Sequence, residues 1–426
     1  MFIIVVLSII PIIIWTFMEP IGLRFLDFNS TMTSIGQIFG LLGIVLFSIN
    51  LILAGRFKFL DKFFKGLDMV YIHHSKIGAL SFSLLLFHPL FLVVKYLLIS
   101  TQEAGLFFVP FVSIPITWGI FSLTLMIILL VLTFYIKLKY HIWKFFHKFL
   151  ILAFIFAILH VLYISSDVTR NNYLRYYILF LALTGLIVSI RKAVLDKYFI
   201  KKLKYKVSLV SQLNKDIFEI EMKPIVEINE KMVFKPGQFA FFSFLSKTIS
   251  SESHPFSISS ESKDNNLKIT VKNLGDFTSR LKNIKVNDDV LIDGPYGNFS
   301  YKKVRSKNQI WIAGGIGISP FLSMAKELEK DFMIDLYYSV KEKKEAVHLN
   351  YLNGITLSNS NFKFYLWDTS AKGYITGVSI LNLSNGLENK DIFLCGPSIF
   401  MDSLKDQFVS LGVDINKIHY ENFIFL

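Results

Sequence analysis

Four histidines stand inside otherwise apolar stretches of the N-terminal half: His74 and His88 in one, His147 and His160 in another. An imidazole in lipid is costly unless something binds it, so an ionisable side chain within a membrane segment points to function by default. The first pair is 14 residues apart and the second 13. Two pairs at nearly equal spacing suit two stacked prosthetic groups, each clamped between two helices. Neutral imidazole is an axial ligand of haem iron, so two b-type haems with His74, His88, His147 and His160 as metal ligands are the candidates. His73 is a rival to His74, whereas His73 and His141 otherwise read as interfacial or helix–helix histidines.

Composition divides the chain. Hydrophobic residues make up 53% of its 426, with 43 phenylalanines, more than the roughly 45–50% apolar content usual in soluble proteins. They concentrate before about residue 190; beyond it, short apolar runs alternate with charges and Gly/Pro punctuation. The formal net charge is +13, but the basic residues lie beside the apolar stretches, where they set orientation and meet anionic lipid. No basic and aromatic tract reads as a nucleic-acid surface, so a lipid bilayer and not nucleic acid is the expected partner. The single cysteine, Cys395, excludes an intrachain disulfide and a cysteine-ligated zinc or iron–sulfur centre. There is no C-x-x-C-H either, so haem would be held non-covalently. The start, Met-Phe-Ile-Ile-Val, lacks a basic region and reads as a retained helix, not a cleaved signal.

Six stretches, approximately 2–18, 34–54, 71–98, 112–136, 142–164 and 173–190, approach the roughly 17–25 residues a membrane span needs. The first is the shortest and contains Pro11. Arg56, Lys58, Lys62 and Lys65 follow the second; Lys137, Lys139, Lys144 and Lys148 surround the fourth-to-fifth connection; Arg191 and Lys192 follow the sixth. The alternate connections carry few basic residues. The positive-inside rule therefore predicts a multi-pass protein of the cell membrane with both termini and the soluble half in the cytoplasm. The third and fifth helices would both run outward, placing His74 with His147 near the cytoplasmic face and His88 with His160 about 20 Å further out. Fourteen residues at about 100° each return to within roughly 40° of one face, but thirteen miss by roughly 140°. A distortion is expected between His147 and His160.

Beyond a basic connector the period changes. Lys206–Val210, Ile217–Met222 and Gln238–Phe244 read as strands of an antiparallel barrel continuing to about 303; from 309 the rhythm of strand, glycine turn and helix predicts a parallel α/β domain. The strand before Gly314-Gly315-Ile316-Gly317-Ile318-Ser319-Pro320 leads into a turn suited to a phosphate, with Ser319 as helix N-cap and Pro320 first in the helix. Asp335–Lys341 is another strand, whose end offers Ser339, Lys341, Lys343 and Lys344 to an adenosine ribose or a 2′-phosphate. Ile392–Ser398 is a third, ending at Cys395-Gly396-Pro397; Gly412 fits the C-terminal cap of the helix that follows it. Upstream, His254-Pro255-Phe256-Ser257 suits a flat heteroaromatic ring. Lys272 with Gly275, Phe277 and Thr278 suits a pyrophosphate.

In this order, with Pro236-Gly237-Gln238-Phe239 and Gly294-Pro295-Tyr296-Gly297, the motifs resemble the ferredoxin–NADP reductase superfamily. The H-P-F-S form, after six apolar stretches with these histidine spacings, resembles the bacterial NADPH oxidase and ferric reductase-like transmembrane family. The resemblance implies a six-helix all-α transmembrane di-haem bundle (1–195), an antiparallel β-barrel FAD-binding domain (196–305) and an α/β parallel-sheet NAD(P)-binding domain (306–426). It implies that His254, Pro255, Phe256 and Ser257 hold the isoalloxazine and ribityl part of FAD, and that Lys272, Gly275, Phe277 and Thr278 line its phosphates. Gly314, Gly315, Gly317, Ser319, Cys395, Gly396 and Pro397 would bind NADPH or NADH, with Ser339 and Lys341 at its ribose. Phe423, in the ending His419–Phe423, would shield the flavin, and Cys395 would stand with it at the hydride-transfer site. The implied activity is superoxide-generating: cytoplasmic NAD(P)H reduces FAD, and two haems pass single electrons to extracytoplasmic O2. Leu92 stands where animal oxidases have a further histidine, so a ferric chelate is an alternative acceptor. A haem subunit serving a partner enzyme fits less well, because the attached NAD(P)H module makes no protein partner obligatory; a channel would leave residues 254–426 unexplained.

Overall fold

The computed structural model describes residues 2–64, 66–98, 100–136, 138, 140–195, 202–225, 231–246 and 249–421. Two compact units result, one of residues 1–60, 70–199 and 426, the other of 61–69 and 200–425. The boundary near 200 lies close to the expected one, but residues 61–69 group with the second unit and not with the helices around them.

The first unit is helical. Helices α1 (Phe2–Met18), α2 (Phe28–Leu53), α3 (Leu67–Leu97), α4 (Ile114–Phe134), α5 (Tyr140–His147), α6 (Leu150–Tyr163) and α7 (Asn172–Ile190) carry it, with short helical turns between. Asp27 starts α2 by accepting from the Ser30 backbone N–H at 2.7 Å, and Asn171 starts α7 by accepting from that of Leu174 at 3.0 Å. Among the described residues, five spans are long and apolar enough to cross a membrane: Phe28–Leu53, Met69–Leu97, Ile114–Phe134, His141–Tyr163 and Asn172–Val194. The expected first span is a shorter apolar helix of 17 residues. It reaches about 25 Å, against a hydrocarbon core of about 30 Å. The six-span expectation thus becomes five long helices and one shorter one, α1, packed on α2 and α7.

The fourth of these spans is broken. α5 ends at His147 and α6 begins at Leu150, with Lys148 and Phe149 in a turn. Across the break the backbone bonds tighten to three-residue spacing: Lys148 to Phe145, Phe149 to Phe146, Ile151 to Lys148 and Leu152 to Phe149. A 3₁₀ turn advances about 120° per residue where an α-helix advances about 100°. Four such steps recover roughly 80° of the 140° by which a 13-residue spacing misses one face. The expected distortion therefore lies between His147 and His160, and its direction turns the two rings toward a common face.

The second unit contains two sheets. Strands β1 (Leu203–Gln212), β2 (Ile217–Pro224), β3 (Phe239–Leu245), β4 (Ser253–Ser257), β5 (Leu267–Lys272) and β6 (Asp289–Tyr296) form one, in the order β4-β3-β6-β1-β2-β5. All its pairings are antiparallel, and a single bridge, Ile258 to Ile269, joins the chain beyond β4 to the far edge strand. Phe242, Ile220, Ile269 and Val290 fill its inner face. Strands β7 (Asn308–Gly314), β8 (Met333–Val340), β9 (Phe362–Asp368), β10 (Asp391–Cys395) and β11 (Ile418–Tyr420) form the second, all parallel, in the order β11-β10-β7-β8-β9. Its central strands are near-continuous apolar runs, as a sheet covered on both faces requires.

Candidate functional site

The helical unit brings the four histidines together in two pairs. The ring centres of His74 and His147 are 6.2 Å apart and those of His88 and His160 are 6.4 Å apart, both with the planes at 69°. His74, not its neighbour His73, stands opposite His147. Two imidazoles sharing one metal through Nε2, at about 2.0 Å each, place their ring centres roughly 6.3 Å apart. The residues present therefore fit a bis-imidazole metal centre at each level.

The hydrogen bonds fix the same nitrogen. Nδ1–H of His74 donates to the Asn50 carbonyl at 3.0 Å, that of His88 to the Gly36 carbonyl at 2.6 Å and that of His160 to the Pro115 carbonyl at 2.8 Å. A carbonyl can only accept, so Nδ1 carries the proton and Nε2 is left with its lone pair for a metal. His147 differs: its Nδ1 is buried without a hydrogen-bond partner, and its ring tilts against Trp143 at 5.1 Å.

Room for the second pair comes from two glycines. A Cβ on Gly40 would lie 2.8 Å from Nδ1 of His88, and one on Gly119 would lie 3.0 Å from Nδ1 of His160. Each glycine is one helical turn after the residue whose carbonyl holds that ring, Gly36 and Pro115. Leu92 packs on the same helix, where a Cβ on Gly36 would meet its Cδ2 at 2.8 Å. None of Gly36, Gly40, Asn50, Pro115 or Gly119 was singled out in the sequence. A small residue four positions after the accepting carbonyl was the signal, but only the partner helix gives it meaning.

In the parallel sheet the chain runs from β7 outward through β8 to β9, then returns to place β10 on the other side of β7. This reversal opens a crevice at the carboxyl ends of β7 and β10, where such sheets bind nucleotides. Gly314–Gly317 and Cys395–Pro397 meet there. A Cβ on Gly317 would strike the Cys395 carbonyl, and one on Gly314 would lie 2.9 Å from Phe400. Cys395 is buried, which pushes its thiol well above the ordinary range, with the Glu421 carboxylate adding to the shift. It stays a thiol. Ser339 is the penultimate residue of β8 and buried, and Lys341 follows the strand, exposed.

Ser319 is not the N-cap. Gly315–Gly317 form a 3₁₀ turn that runs directly into helix Ile318–Lys326, so the cap falls on Gly317; the Ser319 hydroxyl donates back to the Ile316 carbonyl at 2.9 Å.

In the antiparallel sheet, β4 carries His254, Pro255, Phe256 and Ser257 along an edge. The His254 ring stacks on Phe277 at 3.7 Å, and its Nε2 is 3.0 Å from Glu252. This joins the two expected flavin motifs, but Phe277 meets the histidine ring at one side of the 275–278 turn. The Thr278 hydroxyl accepts from the Leu274 and Gly275 backbone N–H groups at 2.9 and 3.0 Å, shaping that turn. Lys272 lies 3.5 Å from Glu345.

Comparisons with known proteins match the same three segments. Residues 39–158 match the ferric reductase like transmembrane component, 202–300 an FAD-binding domain and 311–406 the oxidoreductase NAD-binding domain. The chain thus carries a ferric reductase-like transmembrane segment followed by an FAD-binding and an NAD-binding domain, the order of a ferredoxin–NADP reductase-type module. It is 32% identical to Flavohemoprotein A of Dictyostelium discoideum over 146 residues, 33% of this chain and 36% of that protein. It is 27% identical to the toluate 1,2-dioxygenase electron transfer component of Pseudomonas putida over 229 residues, 51% of this chain and 66% of that one. The chain spans about a third to two thirds of the length of these relatives. Among solved structures, a ferredoxin NADP⁺ reductase from Neisseria gonorrhoeae with bound FAD and NADP covers 53% of this chain and 99% of its own, at 18% identity and a TM-score of 0.46.

Phe423, expected to shield the flavin, lies outside the described residues. Just before it, Glu421 is buried; a Cβ on Gly297 would strike its Oε1. Glu421, directly after β11, thus packs against the Gly294–Gly297 turn, a carboxylate that the sequence motif contained but did not mark.

Proposed function

We propose that this reductase moves electrons from cytoplasmic NAD(P)H across the cell membrane to an extracytoplasmic one-electron acceptor, O2 giving superoxide or a ferric chelate giving ferrous iron. The observation that carries it is the pair of histidine pairs, each at the ring separation of a shared metal and stacked along one bundle. Bound FAD would take the hydride and release its electrons singly, and two b-type haems would relay them.

The chain's own residues supply position and exclusion. Gly314, Gly315, Gly317, Gly396 and Pro397 leave the crevice between β7 and β10 open to a dinucleotide backbone, and Ser339 with Lys341 lies where its ribose would reach. His254, Pro255, Phe256 and Ser257 would offer an aromatic edge and one hydroxyl to a flavin, with Lys272, Gly275, Phe277 and Thr278 beside its phosphates. His74 with His147, and His88 with His160, would hold the haems, three of the four rings already fixed with Nε2 free. With two imidazoles offered to each group, no open site would be left on the metal for O2 to bind, and electrons would leave by outer-sphere transfer. In the full bundle α1 would serve as the sixth span. The basic connections between spans favour the soluble half in the cytoplasm.

Purified protein tests this directly. NADPH or NADH should bleach FAD and then bring up reduced-haem bands, and cytochrome c reduction in air should be sensitive to superoxide dismutase. Haem reduction without superoxide, but with fast ferric-chelate reduction, would overturn the oxidase reading. Absence of haem from protein made in haem-replete cells would overturn the electron chain itself.

A further inference from the structure

The four paired histidines are not equivalent. His74, His88 and His160 each donate Nδ1–H to a backbone carbonyl of a neighbouring helix, at 3.0, 2.6 and 2.8 Å. Nδ1 of His147 is buried with no hydrogen-bond partner among the described residues. The level of His88 and His160 therefore has two hydrogen-bonded rings, and the level of His74 and His147 has one.

The neighbouring helices explain the exception. Each accepting carbonyl is followed four residues later by a small residue: Gly40 after Gly36, Ala54 after Asn50 and Gly119 after Pro115. Such a residue lies one turn on and on the same face, so a small one lets the ring come up to the carbonyl. Even a Cβ on Gly40 or Gly119 would press on the ring, at 2.8 or 3.0 Å. On α4 this pattern is not repeated at the second level. The Ser122 hydroxyl donates to the Ala153 carbonyl at 2.8 Å, seven residues forward along α4 and seven back along α6 from the contact of Pro115 with His160. The two helices thus run antiparallel in register, and six more residues bring His147 opposite Ile128. Four residues after Ile128 stands Leu132, and the next carbonyl, that of Leu129, already accepts from the Thr133 hydroxyl at 2.8 Å. A leucine in place of the glycine keeps the ring from an acceptor.

A hydrogen bond from Nδ1 to a carbonyl makes the imidazole a more basic ligand, and hydrogen bonds around a metal's ligands tune its redox potential. A more basic ligand favours the ferric ion and lowers the midpoint. We propose that His147, lacking this bond, sets the midpoint of the haem it shares with His74 above that of the haem between His88 and His160. The proposal rests on the two haem centres of the preceding section. One electron passing from the first to the second takes one iron from Fe(II) to Fe(III) and the other from Fe(III) to Fe(II), with no proton moved. That step is uphill. A single electron then rests at the level of His147, and the level of His88 and His160 is the stronger reductant.

The test is an anaerobic redox titration of the purified holoprotein, followed at the haem absorption bands. Wild type should resolve two midpoints about 59 mV or more apart, tenfold in a one-electron equilibrium. Gly119→Ala, which presses on His160, should displace only the lower one. His160→Ala should retain only the higher, and assigns the levels should Gly119→Ala not fold. Trp143 stands one turn before His147, its ring 5.1 Å away. Trp143→Gln brings an amide oxygen there to accept from Nδ1, and should lower the higher midpoint by about tenfold in the equilibrium, ~59 mV. Trp143→Leu, which has no acceptor, should not lower it. Coincident midpoints, a higher midpoint that moves with Gly119→Ala, a lower one that survives in His160→Ala, or the same response to Trp143→Gln and Trp143→Leu each overturn the proposal. Haem-free protein from haem-replete cells overturns instead the electron chain on which it rests.

Discussion

The ring centre of His88 lies 6.4 Å from that of His160, within 0.2 Å of the 6.2 Å between His74 and His147 and at the same 69° interplanar angle. Two levels separated along the bundle thus repeat one geometry, although the sequence spacing differs on the two helices. The turn at Lys148–Phe149 makes the repetition possible, because its three-residue hydrogen bonds advance the backbone faster than an α-helix does.

His160→Ala should remove about one haem per chain, measured as pyridine haemochrome relative to FAD, and leave the group between His74 and His147. Removing a ligand from a closed two-ligand site abolishes axial closure; it does not shift the group elsewhere. Two haems per FAD surviving in the variant would show that His160 is not a ligand.

Gly119→Ala and Gly40→Ala probe the same level without touching a ligand. The added methyl would press on His160 or His88 at 2.8–3.0 Å, overpacking that costs about 1–3 kcal/mol. Each should weaken haem retention on dilution in detergent and broaden the low-spin electron paramagnetic resonance signal of one haem. Gly105→Ala, which meets nothing within 4 Å, should do neither. Identical behaviour of all three variants would remove the glycines from the site.

Much of this arrangement was legible in the sequence because the informative residues are unusual where they stand. Histidines in apolar runs, and glycines at the end of an apolar strand, are local signals. The pairing of His74 with His147 followed from the orientation that the basic connections imply, and the need for a distortion between His147 and His160 from helical geometry. What stayed hidden depends on partners far along the chain. The Asn50, Gly36 and Pro115 carbonyls are ordinary backbone until a ring arrives from another helix, 24 to 52 residues away. Ser319 misled for a related reason: a hydroxyl before proline looks like a cap, but the 3₁₀ turn at Gly315–Gly317 already had the backbone turning. Helix α1 was counted as a sixth span, though the shortest and with Pro11 inside it, because its residues are as apolar as those of the longer helices.

Gly317→Ala should raise the KM for NAD(P)H at least about tenfold while FAD content stays near wild type. The new Cβ would strike the Cys395 carbonyl, which belongs to a buried strand and cannot rotate away. The two turns would separate, and the crevice between β7 and β10 would lose its shape. Stopped-flow flavin reduction at increasing NAD(P)H checks this: an unchanged concentration dependence would place the dinucleotide elsewhere.

His348 predicts a pH dependence for the soluble unit. It precedes helix Leu349–Ser358 in a left-handed conformation, φ 60°, with its Nε2 3.7 Å from Glu219. Burial, then the positive charges of Lys326 and Lys268, push its pKa down to about 4, against about 6.5 in an unfolded chain. Between these values the unfolded chain binds more protons, so this group's stabilisation is complete above about pH 6.5 and is lost as pH falls toward 4. His348→Asn tolerates the left-handed backbone and removes the titration. Heating the detergent-solubilised protein at pH 7.5 and 5.0 while following flavin fluorescence should show the wild-type midpoint falling more than the variant's, by about 3–6 °C. Equal falls in the two proteins would assign the acid sensitivity to other groups.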